Sequence, residues 1–210
     1  MKSCIFTTAL SALFLFCFSA NAQTTVTRSL SSFDKIAVSG GFDKLILKEG
    51  SAEGVTLEVS GIDPDNIKTE VKGSTLEIGM KKGHWSNFKA KITVTYKSIR
   101  EIASSGSTDI VAESVIKGNH FELASSGSGD FTGSFDVSEL EVAISGSSDM
   151  TLKGHAEEQE IAISGSGDVN ASELKGKQAE VAISGSGDVK LGVSGQVKTA
   201  VSGSGRVTNN

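Results

Sequence analysis

Apolar positions alternate with polar or small ones over most of this chain. In "EVAI" at 141–144, Val142 and Ile144 fall on one face and Glu141 and Ala143 on the other. That period of two predicts strands, and nothing after the first twenty-odd residues sustains a helical period. Each alternating string runs into a Ser-Gly turn, and alternation then resumes, as with Met150 and Leu152 or Val189 and Leu191. The unit recurs six times: "EIASSGSTDI" (101–110), "ELASSGSGDF" (122–131), "EVAISGSSDM" (141–150), "EIAISGSGDV" (160–169), "EVAISGSGDV" (180–189) and "TAVSGSGRV" (199–207). Its Asp stands at 109, 130, 149, 168 and 188, with Arg206 in the last copy, at spacings of 21, 19, 19, 20 and 18 residues.

A unit of two or more short strands cannot bury its apolar face alone. Stacked in register, such units share one continuous core, which predicts an all-β solenoid with coils of about 20 residues. A propeller blade needs about forty residues, and the leucine and asparagine pattern of a leucine-rich repeat is missing. The segments before residue 101, "FDKIAVSGGFDKLILKEG" (33–50), "VTLEVSG" (55–61), "IKTEVKGSTLEIGM" (67–80) and "FKAKITVTYKSI" (88–99), read as strands in longer, irregular coils that also cap one end. Within them "SGGFD" (39–43) faintly echoes the repeat. In the last copy Thr199 replaces the apolar residue, Lys198 the Glu and Arg206 the Asp. That polar drift suits a terminal coil, whose open edge could pair with a second copy.

The chain starts with Met1-Lys2, an apolar run from Ile5 to Phe18, and Ala20-Asn21-Ala22. This is the pattern of a secretory signal peptide over 1–22, with cleavage before Gln23 and one domain over 23–210. Export is therefore expected, to the periplasm, outer-membrane surface or extracellular space. Cys4 and Cys17 would leave with the signal, so the exported chain has no thiol chemistry. Large Phe16 before Cys17 argues against a lipoprotein signal. The formal charge of −5 becomes −6 without Lys2, and no basic run exists to hold nucleic acid or an anionic membrane.

Stacked coils lie about 4.8 Å apart. Asp109, Asp130, Asp149, Asp168 and Asp188 would then form one column, and Glu101, Glu122, Glu141, Glu160 and Glu180 another. Neighbouring carboxylates at that spacing repel by about 1 kcal/mol in water and roughly 3–4 kcal/mol at an effective dielectric of 20. One account has each Asp accept N–H bonds from its own Ser-Gly-Ser turn. Another makes the column a ligand site for sugar hydroxyls or for Ca²⁺ at Asp149, Asp168 and Asp188. Catalysis by a carboxylate pair on a polysaccharide is the competing enzymatic account, but it needs one asymmetric site rather than five equivalent ones. His84, His120 and His155 show no metal-ligand spacing. Trp85, the only tryptophan, is either a stacking platform for a sugar ring or the anchor of its loop. "SGSG" lacks the lysine and the strand-loop-helix setting of a phosphate loop.

The opening "FDKIAVSGGFDKLILKEG", the middle "KITVTYKSIREIASSGSTDI" and the "SGSGD" repeats together resemble the autotransporter-adhesin head, or GIN, domain of Bacteroides-type bacteria, over roughly 30–207. The resemblance implies a right-handed parallel β-helix of pectin-lyase-like shape without that family's catalytic residues. It also implies a role in adhesion, toward a glycan or a surface protein. It carries no site residues and no cofactor, and the sequence has no barrel segment of an autotransporter.

Overall fold

The structure, a computed structural model, describes residues 23–210; the expected signal peptide, with Cys4 and Cys17, lies outside them. Fifteen strands join one continuous sheet: β1 (Thr24–Ser29), β2 (Lys35–Gly40), β3 (Lys44–Glu49), β4 (Gly54–Ser60), β5 (Ile67–Lys72), β6 (Thr75–Met80), β7 (Lys89–Tyr96), β8 (Glu101–Gly106), β9 (Ile110–Ala112), β10 (Ile116–Ser125), β11 (Phe131–Gly146), β12 (Met150–Gly165), β13 (Val169–Gly185), β14 (Val189–Gly203) and β15 (Val207–Asn209). The sheet winds into a β-solenoid of about six turns. A single helical turn, Pro64–Asn66, interrupts the strands. No helix of the described residues is long and apolar enough to cross a membrane.

The repeat sets the register. Val142, Ile161 and Val181 stack in one inner column and Ile144, Ile163 and Ile183 in the next, through parallel pairing of β11, β12 and β13. All six are at most 2% exposed. Burying each such side chain stabilises by roughly 1.5–3 kcal/mol, which is what holds coil on coil. Phe121, Phe131 and Phe135 fill the core nearer the middle, with ring centroids 5.4 and 6.1 Å apart. The unequal coil lengths are absorbed by bulges: the register slips at Ala171/Lys175, where β13 carries residues that β14 lacks.

The Ser-Gly turn is fixed by crowding. Gly165 has φ +144°, and a Cβ there would lie 2.2 Å from the carbonyl oxygen of Gly146 in the coil below. The glycine is therefore needed both for its backbone angle and for the next coil's approach.

Before residue 101, stacking order departs from chain order. β2 and β3 form a coil that fits directly against β8 and β9, with Ile36 over Ile102 and Leu45 over Ile110. The faint "SGGFD" echo thus belongs to a regular coil. β6 and β7 lie beneath it in parallel. Beyond them the direction reverses: β5 covers β6, β4 covers β7 and β1 covers β4, all antiparallel. Arg28 of β1 reaches across the end, donating to the carbonyl oxygens of Ile67 and Pro64 and to Thr69 Oγ1.

Candidate functional site

The aspartates do form one column, bonded from coil to coil rather than within their own turns. Asp109 Oδ1 accepts from the backbone N–H of Asp130 at 3.1 Å, Asp130 from Asp149 at 3.0 Å, and Asp149 from Asp168 at 3.0 Å. Asp168 accepts from Asp188 at 2.7 Å, and Asp188 from Arg206 at 2.8 Å. Each carboxylate is thereby offset by an N–H dipole of the following coil, at roughly 1 kcal/mol per bond. Arg206 stands at the last position of the column, and among the described residues no N–H of a further coil lies where an Asp at 206 could accept it. At the other end Asp43 turns the opposite way and accepts from Ala90 N–H at 2.6 Å. One oxygen of each carboxylate is committed to architecture, and the other faces a mostly exposed rim.

The glutamates form the second column, Glu101, Glu122, Glu141, Glu160 and Glu180 in register. Lysines close it at both ends. Lys35 pairs Glu101, and Lys198 lies 3.8 Å from Glu180. Among the described residues no group of three or more His, Cys, Asp or Glu side chains could hold a metal ion. His120 Nδ1 meets Glu139 at 3.1 Å and His155 Nε2 meets Glu157 at 3.7 Å, so these two histidines sit in separate surface pairs.

Between the two columns runs a feature the sequence analysis did not single out. The outward alanines Ala37, Ala103, Ala124, Ala143, Ala162, Ala182 and Ala200 align strand by strand. Beside them stand serines such as Ser145, Ser164, Ser184 and Ser202. Together they line a groove of about 1270 Å³ that crosses eight strands from β6 to β14. Eight strands at about 4.8 Å make it some 35 Å long. Its signal was already in "EVAIS": small outward residues where the neighbouring column carries Glu. Lys68, Glu77 and Met80 line its closed end.

At that end Lys68 Nζ bonds Glu77 at 2.7 Å, and Lys72 bonds the same oxygen at 2.8 Å. These donors hold the Glu77 carboxyl down at about 2, and Glu77 in turn raises Lys68. Both groups are held charged. Trp85 lies in the loop that follows Met80. Its indole N–H donates to the carbonyl oxygen of Lys81 at 2.8 Å, its ring packs on Gly83, and it stays 36% exposed. It anchors its own loop, outside the core, with part of its surface open to solvent.

Known proteins place this architecture. A putative adhesin from Bacteroides fragilis has a similar structure, with TM-score 0.78 and 21% identity over 91% of this chain and 98% of that one. A protein from Parabacteroides distasonis described as a putative lipid binding protein follows, at TM-score 0.67 and 19% identity over 90% and 96%. A putative adhesin from Parabacteroides merdae gives 0.62 and 19%, with the same coverage. At such identities the likeness concerns the fold. No curated protein matches the chain. A family profile described as "putative auto-transporter adhesin, head GIN domain" matches residues 32–210. The chain belongs to that family.

Proposed function

We propose that the chain is an exported, non-enzymatic binding module whose Ala/Ser groove takes an extended, uncharged glycan. The observation that carries this is the repetition of the groove itself: an alanine methyl and a serine hydroxyl recur on seven of its eight strands, from β2 to β14, at about 4.8 Å spacing. A polysaccharide offers matching chemistry, with C–H faces for the alanine methyls and hydroxyls for the serines. Glu and Asp columns outside the alanine and serine columns add further acceptors for sugar hydroxyls and disfavour anionic chains. Family membership supports adhesion as the wider role. A binding role is also supported by the groove's charged end, where Lys68 and Glu77 neutralise each other instead of standing poised for proton transfer.

The methyl-rich floor favours one second reading, an acyl chain laid along the same groove. The fold-level neighbour from Parabacteroides distasonis described as a putative lipid binding protein is in keeping with it.

The test is binding of residues 23–210 to a panel of soluble neutral polysaccharides, with acyl-chain vesicles as the second arm. Ala162→Arg and Ala143→Trp fill the groove from outward-facing positions. Polysaccharide binding lost in both variants, at unchanged Tm, is the expected result. Binding that survives both substitutions removes the groove as the site, and binding to vesicles alone transfers the proposal to the acyl chain.

A further inference from the structure

The two ends of the solenoid are unequal. Antiparallel strands and Arg28 cover the first. At the second, β15 pairs only Val189–Leu191 of the last coil, and Asn209 brackets Val193, accepting from its N–H at 3.1 Å and donating to its carbonyl at 2.9 Å. Among the described residues no strand pairs the outer edge of Gly195–Gly203. Val197, Thr199 and Val201 there occupy the columns of Ala179, Val181 and Ile183. Those three are at most 4% exposed, whereas Val201 is 44% exposed. Half of the last coil is an unfinished core with an open edge.

We infer that this edge pairs with the same edge of a second copy, antiparallel and centred on Thr199. The other end presents the antiparallel cap strands β1 and β5, with Arg28 reaching across them, and no coil on which this edge could continue its parallel register. An end that meets its own copy makes an isologous contact, which closes at a dimer. The edge is self-complementary in one register. With Thr199 opposite Thr199, Val197 faces Val201 of the second copy, Lys198 faces Ala200, and Gly195 faces Gly203. Directly opposed residues share a face in an antiparallel pair, so inner side chains meet inner ones. The nine residues then pair over their whole length. A register centred on Lys198 would oppose two like charges instead. The change from Val142, Ile161 and Val181 to Thr at 199 also falls on the axis, where two hydroxyls meet.

One short edge per copy buries less than the roughly 1,200 Å² of a standard interface, so the dimer forms at high protein concentration. The inference stands on the edge alone and does not depend on what the groove binds.

Residues 23–210 contain no cysteine, which makes cross-linking clean. Directly opposed antiparallel residues have Cα atoms about 4.5–5.5 Å apart, within disulfide range, while pairs beyond about 7 Å cannot bridge. Under mild oxidation Thr199→Cys is expected to give covalent dimer about tenfold faster than Val201→Cys, whose two copies lie well apart in this register. Sedimentation of the unmodified protein should show reversible dimer at high concentration, lost in Val201→Lys at unchanged Tm. Equal cross-linking at both positions overturns the register. A monomer at every concentration, with neither variant cross-linking, overturns the dimer.

Discussion

The ends of this solenoid solve one problem in two ways. A stack of identical coils has no natural stop, since each coil leaves an open edge and half-covered columns for the next. At the first end the chain abandons the repeat: β1, β4 and β5 reverse direction and Arg28 ties them together. At the second end it keeps the repeat and edits three positions, Lys198, Thr199 and Arg206. The first solution buries the end of the core; the second leaves Val201 exposed. Closing a solenoid completely takes dozens of residues of different sequence, and a few substitutions only moderate the edge.

The sharpest contrast lies in two left-handed glycines. Gly165→Val should abolish folding, because its Cβ meets a carbonyl oxygen at 2.2 Å in a stacked turn at φ +144°. Gly73→Ala, at φ +62° with nothing within 4 Å, should cost only about 1–2 kcal/mol. Far-UV circular dichroism and urea melts of both variants check this; similar losses would mean that backbone angle, not stacking, selects the glycines. The next effect contrasts a covered column with its uncovered end. Ile163→Ala should cost about 2–5 kcal/mol, and Val201→Ala less than about 0.5 kcal/mol, as an exposed position.

At the closed end, Arg28→Ala removes its bonds to Ile67, Thr69 and Pro64 and should cost about 2 kcal/mol. Hydrogen exchange in β5 would rise first; a rise spread evenly over the molecule would show that the lid is not a local device. Acid acts on the same end. The folded Glu77 carboxyl is lowered from 4.5 to about 2, so its stabilising contribution is present above about 4.5 and lost as pH falls toward 2. Glu77→Gln should flatten that part of the pH–stability curve, and an unchanged slope would contradict the pairing.

The smallest effects concern the Asp ladder. Asp168→Ala should cost about 1 kcal/mol, while Asp168→Asn, which keeps the accepting oxygen, should be nearly neutral. Calcium should leave the melting temperature unchanged, since each Oδ1 already holds an N–H. A clear rise in calcium, reversed by chelator, would show ion binding to the folded state and make the ladder a site.

Much was legible in the chain itself. Six spaced copies of one strand-turn string determined parallel coils of about twenty residues, their inner columns and their register, because a one-residue slip would turn the apolar faces outward and a two-residue slip would unstack the recurring Ser-Gly turns. Both acidic columns followed from the same spacing. What followed only from the tertiary structure were relations between coils. "SGGFD" is too altered for its position to be read, yet Ile36 and Leu45 place it against the first regular coil. The donor to each Asp belongs to the next coil, and nothing local distinguishes it from the Asp's own turn. The groove exists because alanines some twenty residues apart line up between two acidic columns. Sequence determines what recurs, since recurrence is local; which end is closed, and what a column faces, depends on chain segments meeting across long separations.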